Sequence, residues 1–497
     1  MLIRQKPGLS YDEALQVVGA VHMLHAPHQE LTVPHDPHTW VNVFGRWFPL
    51  MTVRYTGAIK EYICVLPFKV FGPRAPFVRM VCMLFGAIGI WGMSFLVRSQ
   101  AGDAAAAFFA LVLGINPAYV DSTIFDAGTV SIFMASMGLL ALGVAHYLKR
   151  PAVSAFWMGA AVGFGVWMRS NFIWLAGAVG VAALIVLWKD LRRPLVEWMA
   201  LAAGAIVGAL PLIVYQVISR GGTFEAVGMF SSNDTLGARL LTRTVLFAET
   251  LLADREHRAM WNGPAMPEWQ RWLFPLLALG CCAICLIRKD RFARVLAIAF
   301  LLFGAILFLT GVPVAEHHLI GLLPFAVALV VLGFASLRDS RYWVLGWAAA
   351  ILYAGVALYW QGLTNNGLLM TGGVGIWSDS VVTLASELEQ KFNGRTVKFL
   401  DWGLYNPVYV MTNARINGGE IYPDATAEKS GRGLTWADEV REGGVFVMFP
   451  PEQRQIPLAS EAFDRALKES HAMAHELTIP ERDGRAYAII VDVEPRG

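Results

Sequence analysis

The sequence has 497 residues, 56% of them hydrophobic and 16% charged, with a formal net charge of +2. Soluble domains carry roughly 25% charged residues, so an ordinary soluble domain is excluded, and so small a net charge excludes the basic field that nucleic-acid binding needs. All five cysteines (Cys64, Cys82, Cys281, Cys282 and Cys285) fall in apolar segments, which excludes a disulfide framework.

In chain order, residues 1–75 hold no clean spanning segment. They open with Ser10-Tyr11-Asp12-Glu13-Ala14 and an amphipathic run to Leu24, followed by histidines at 22, 25, 28, 35 and 38. A spacing of three can align imidazoles for a metal, but Pro27 interrupts the face and no carboxylate matches it, so these histidines read as solvated or interfacial. Residues 38–72 are rich in aromatics but broken by Arg46, Arg54, Lys60, Glu61 and Lys69, the pattern of a segment lying along a membrane interface.

Ten apolar blocks follow, at 76–98, 102–119, 127–148, 153–168, 172–188, 196–218, 269–287, 294–311, 316–335 and 342–360. A transmembrane helix needs roughly 20 apolar residues. The predicted fold is therefore a polytopic α-helical membrane bundle over 76–360. The Cys281-Cys282-x-x-Cys285 cluster, with no nearby His or second Cys pair, reads as helix packing. Basic residues gather in every second loop: Arg98; Lys149 and Arg150; Lys189, Arg192 and Arg193; Arg288, Lys289, Arg291 and Arg294; Arg338 and Arg341. The positive-inside rule puts these loops in the cytoplasm of a cell membrane. Residues 1–75, the loop 219–268 and everything after 361 then lie on the extracytoplasmic side. Both chain ends fall outside with no signal peptide, so either a polar tail is translocated unaided or, the preferred expectation, a further transmembrane helix belongs ahead of residue 1.

From about 361 to 497 the composition becomes that of a small extracytoplasmic α/β domain. Ser378 to Phe392 predicts an amphipathic helix, with strands at Val397–Leu400, Val408–Met411, Val445–Phe449 and Ala486–Val493 and helices near 435–441 and 460–475.

The spanning blocks are nearly free of ionisable residues at their centres, whereas transporters place acids and bases there. Carboxylates gather instead at the outer helix mouths: Asp12, Glu13, Asp121, Asp126 and Glu316. That distribution favours an enzyme working at the outer membrane–water boundary over a non-catalytic transporter or assembly protein for lipid-linked glycans. Asp12 and Glu13 read equally as first-turn acids of a helix capped by Ser10, Asp126 as an N-terminal acid of the next helix, and Asp121 as a solvated turn residue.

The order of these features resembles the GT-C superfamily of polyprenyl-phosphate-sugar glycosyltransferases, which includes protein O-mannosyltransferases, aminoarabinose transferases and relatives of rhizobial lipopolysaccharide glycosyltransferases. Tyr11-Asp12-Glu13-Ala14 is similar to the acidic motif opening that family's first external loop. Further likenesses are the lipid-facing runs 55–62 and 66–72, Arg79, Ile124-Phe125-Asp126, the turn Trp167-Met168-Arg169-Ser170-Asn171-Phe172, and His317-His318 with Pro324. The Lys-Pro-Pro of the aminoarabinose branch is missing, which points away from that particular activity. The resemblance implies a sugar carried on a polyprenyl phosphate and transferred to a lipid, glycan or protein acceptor outside the membrane. It implies Asp12, Glu13 and Asp126 as catalytic residues, and Tyr11, Lys60, Arg169, His317 and His318 as substrate contacts. A divalent cation, Mg or Mn, is left open by the family, which is divided on it. Asp12 and Asp126 should then lie within about 10 Å of each other, free of tight basic partners.

Overall fold

A computed structural model describes residues 6–31, 38–147, 149–189, 194–229, 234–288, 290–337, 343–421 and 436–495. His35, Arg192, Arg193, Lys289, Arg338 and Arg341 lie outside these described residues.

Each apolar block forms helix. The first two join as Ala75–Ile115, broken where Gly102 leaves helical geometry at φ 85° and ψ 179°. Then come Val130–His146, Pro151–Met168 and the shorter Phe172–Leu187. The next block is bent by 61° between Leu195–Gly208 and Leu210–Ser219. Glu268–Ile287, Arg291–Leu309, Leu323–Leu337 and Trp343–Thr371 complete the bundle. Among the described residues, six helices are long and apolar enough to cross a membrane, or seven if the bent pair is one span. The last helix runs to Thr371, so the C-terminal domain starts about ten residues later than the composition change at 361 indicates. Cys281, Cys282 and Cys285 are buried and unbridged inside Glu268–Ile287, where they pack against other helices.

Small residues set the closest helix contact. Gly159 and Gly163 face Gly204 and Gly208, each spaced by four as in close-packed membrane helix pairs. A Cβ on Gly159 would fall 1.9 Å from the Leu201 carbonyl oxygen, so the backbones touch where a side chain has no room.

The predicted loop 219–268 is itself helical, with helices at Gly222–Met229, Leu236–Thr250 and Asp254–Trp261. Arg243 anchors the second of these by donating to the carbonyls of Leu307, Phe308, Thr310 and Val312. It thereby satisfies acceptors left over at the end of Arg291–Leu309. Residues 38–57, read as interfacial, form two small antiparallel hairpins, Trp40–Val43 with Arg46–Pro49 and Met51–Val53 with Thr56–Gly57. The helix Ile59–Phe71 follows, with Leu66, Val70 and Phe71 exposed along its length.

The C-terminal domain carries a five-stranded sheet in the order Asn417–Glu420, Thr396–Phe399, Gly444–Met448, Ala486–Val493, Ala474–Pro480. The first three strands are parallel and the last two pair antiparallel. Two local readings change. Val408–Met411 belongs to a helix, Tyr405–Met411, whose apolar side chains divide between two cores, Tyr409 and Val410 against the N-terminal helices and Val408 against the C-terminal sheet. The helix read near 460–475 stops at Ser470, and residues from Ala474 pair with Ala486–Val493.

Candidate active site

The predicted site residues sit at the helix ends opposite the basic loops. Asp126 precedes Val130–His146 and Arg169 follows Pro151–Met168, whereas Lys149 and Arg150 lie between those helices.

The acidic motif forms a short helix, Tyr11–Leu15, closed by a capping box: Ser10 Oγ accepts from the Glu13 amide and Glu13 Oε2 accepts from the Ser10 amide at 3.0 Å. Glu13 is wholly buried. Its carboxylate also receives Arg79 Nε at 2.8 Å and Nη2 at 3.0 Å, and Arg79 donates further to the carbonyls of Pro7 and Gly8. The capping alternative thus holds for Glu13, and its oxygens are spent on structure rather than aimed at a substrate.

Asp12 points elsewhere. Its Oδ2 accepts the Gly128 amide at 3.2 Å, and among the described residues no Lys or Arg reaches ion-pair distance of it. Gln16, one turn on, donates Nε2 to the carbonyls of both Asp12 and Asp126, at 3.0 and 2.9 Å. Gly128 is needed twice over: its φ is +63°, and a Cβ there would lie 2.8 Å from the His317 ring. Asp12, the 126–129 turn and His317 therefore meet at one place. Burial raises the Asp12 carboxyl above the usual range, and the Asp126 charge adds to this against the Gly128 amide, Lys60 and Arg169.

Asp126 is fully buried in left-handed geometry at φ 48°. Its Oδ1 accepts the Ser131 amide at 2.6 Å, and its Oδ2 is ion-paired with Lys60 and approached by Cys82 Sγ at 3.6 Å. The expectation that both carboxylates avoid tight basic partners fails here. Both side chains are buried, so Lys60 and Asp126 neutralise each other, which leaves Lys60 without a free charge for a donor phosphate.

Arg169 remains. It is 6% exposed, stacks its guanidinium over Phe133 at 5.6 Å, and among the described residues has no carboxylate within ion-pair distance. It acts electrostatically on Asp12, Asp126, His317 and His318. Its turn is docked on the interfacial hairpin, with Trp167 Nε1 donating to Leu50 O at 2.9 Å and the Ser170 amide to Tyr55 O at 3.2 Å. His317 and His318 stack at 4.2 Å, and His318 Nδ1 accepts the Ala315 amide at 3.1 Å. Tyr11 lies against Trp402 of the C-terminal domain, ring centroids 4.4 Å apart, so its ring serves a domain contact. Asp121 is not a solvated turn residue: it is buried, 3.4 Å from His257 and 3.3 Å from Gln361.

Three solved structures share this architecture. ArnT from Cupriavidus metallidurans matches in the apo state with a TM-score of 0.63 and bound to undecaprenyl phosphate with 0.60, each at 13% identity over 99% of this chain and 95% of that one. The oligosaccharyltransferase of Archaeoglobus fulgidus, tethered with an acceptor peptide containing the NVT sequon, matches with a TM-score of 0.53 at 10% identity over 100% of this chain and 71% of its own. The chain has the GT-C fold. No family model matches the sequence, and no curated protein matches it.

Within this GT-C fold the acidic loop, the second acid, the basic turn and the histidine pair converge although 305 residues separate Asp12 from His317. The residues that organise them, Gln16, Gly128, Ser131 and Trp402, carry no sequence signal of their own. Among the described residues no three of His, Cys, Asp and Glu come together as a group that could hold a divalent cation. Asp126 is already neutralised, and His22 is bound by Tyr409 and the Gln29 carbonyl.

Proposed function

We propose that this protein is an integral-membrane glycosyltransferase that moves a hexosyl or pentosyl unit from a polyprenyl-phosphate donor to an extracytoplasmic acceptor hydroxyl, with Asp12 as general base. The observation that carries this reading is Asp12 itself. It is a carboxylate anchored by one backbone amide, free of a basic partner, and faced by the unspent charge of Arg169.

An acceptor hydroxyl is too weakly acidic to attack unaided, so a carboxylate must take its proton as the bond to the anomeric carbon forms. The raised proton affinity of Asp12 suits it to that step. The bond from the anomeric carbon to the phosphate oxygen breaks, and polyprenyl phosphate leaves with the electron pair. Arg169 stabilises the charge that builds on it. One displacement inverts the anomeric centre. The Lys60–Asp126 pair holds the turn that presents Gly128 to Asp12. ArnT bound to undecaprenyl phosphate is a protein of the same fold holding a carrier lipid of the proposed kind.

The test is transfer from a labelled polyprenyl-phosphate sugar by the purified full chain. Asp12→Asn is expected to lose about 10²–10⁴-fold in rate while keeping the fold. Activity within about threefold of the parent would remove Asp12 as the base.

A further inference from the structure

A groove of about 780 Å³ runs along the lipid-facing side of the bundle, away from the acidic site. One wall is Leu139, Leu142, Gly143 and His146, spaced three and four apart on one face of Val130–His146. The other is Val153, Trp157, Ala160, Ala161 and Phe164 on one face of Pro151–Met168. Gly143 and the two alanines hollow its floor. Leu139, Val153 and Trp157 remain 38%, 53% and 62% exposed.

Two features define an occupant. The groove is apolar along its length but basic at one end, where His146, Lys149 and Arg150 are all exposed and contribute to its lining. Glu197 on the neighbouring helix accepts from the Tyr147 hydroxyl and, among the described residues, makes no ion pair with Lys149 or Arg150. The length is also limited. From Arg150 to Phe164 the helix rises about 20 Å, comparable with one leaflet's half of a roughly 30 Å hydrocarbon core. That suits a single acyl chain and is short for a long polyprenyl tail. Basic pockets between membrane helices on the cytoplasmic side recognise anionic headgroups.

We propose that this groove is a binding site for one anionic glycerophospholipid. Its phosphate lies among His146, Lys149 and Arg150, and an acyl chain follows Leu139, Val153 and Trp157 toward Phe164. The occupant is a membrane lipid distinct from the sugar donor, held at the opposite helix ends from Asp12. The site therefore stands whether or not the catalytic reading does.

Native mass spectrometry of the full chain in detergent tests this with phosphatidylglycerol, phosphatidylcholine and undecaprenyl phosphate as probes. Phosphatidylglycerol is expected to be retained over phosphatidylcholine. The double variant Lys149→Ser, Arg150→Ser should weaken its retention roughly thirtyfold, as two surface cations imply. Val153→Trp should also lower it by filling the groove, and since Val153 is more than half exposed the fold is kept. Equal retention of both phospholipids, or phosphatidylglycerol retention unmoved by either variant, would overturn the proposal. So would undecaprenyl phosphate displacing phosphatidylglycerol at equal concentration, which would make the carrier lipid the occupant.

Discussion

Glu13→Gln separates the chemical role implied by the resemblance from the structural one seen at that residue. The Glu13 carboxylate accepts two N–H groups from Arg79 and one from the Ser10 amide, all buried. An amide of the same shape keeps one acceptor oxygen but turns an NH₂ toward the guanidinium. Arg79, 1% exposed, then faces an amide in place of the carboxylate, while it keeps its bonds to the Pro7 and Gly8 carbonyls and its place over the Phe125 ring. Breaking one side of a buried pair costs about 3–5 kcal/mol, and weakening the capping box adds about 1 kcal/mol. The loss is local, because Arg79 belongs to the long Ala75–Ile115 helix while Pro7, Gly8 and Glu13, to which it donates, lie in residues 7–13. Hydrogen exchange of residues 8–16 should therefore speed up strongly while the bundle stays protected, with transfer falling in parallel. The double variant Glu13→Leu, Arg79→Met should recover part of the protection, since no charge is then stranded. Unchanged exchange with transfer lost a hundredfold or more would refute the reasoning and make Glu13 a chemical participant.

Lys60→Met should destabilise the protein by about 3–5 kcal/mol through an unpaired buried Asp126, and adding Asp126→Asn should restore much of the melting temperature; if the double variant melts no higher than the single one, the pair is not coupled. Glu61 is buried with its Oε1 on Thr52 Oγ1 at 2.7 Å, and burial pushes it up to about 8. Its folded-state affinity for the proton exceeds the unfolded one, so its contribution is fully present below about pH 4.5 and is lost as pH rises through about 8. Melting temperature followed across that window should fall in the parent and flatten in Glu61→Gln, and parallel curves would contradict the assignment. Transfer is expected to survive chelation, since no three ligating side chains converge among the described residues; inhibition by EDTA reversed by Mg or Mn would contradict that.

The membrane part was legible because its signal is additive over long windows: each apolar block from 76 to 360 became helix, and the charge-free helix centres pointed to the outer mouths. Short segments were less so. The 38–57 hairpins mix aromatics with Arg at no clean period, and Val408–Met411 is as apolar as a strand but bridges the N-terminal helices and the C-terminal sheet as a helix. At the site, Asp12, Asp126 and Arg169 stood out by type and position. Their partnerships did not, because nothing local in the sequence says that Glu13 meets Arg79 across 66 positions while Asp12, its neighbour, meets only a backbone amide. The orientation of adjacent acids on a five-residue helix is a tertiary fact.

The N-terminal segment that carries Asp12 is stitched to parts of the chain made much later. The Gly8 amide donates to Trp377 O at 2.9 Å, Tyr11 leans on Trp402, and Tyr405–Met411 packs against Tyr11–Leu15. During synthesis the acidic motif emerges first and meets Arg79 and Gly128 early, but its contacts with Trp377 and Trp402 form only once the chain has reached roughly its last quarter. A chain that ends before residue 377 lacks the contacts that brace the N-terminal side of Tyr11–Leu15.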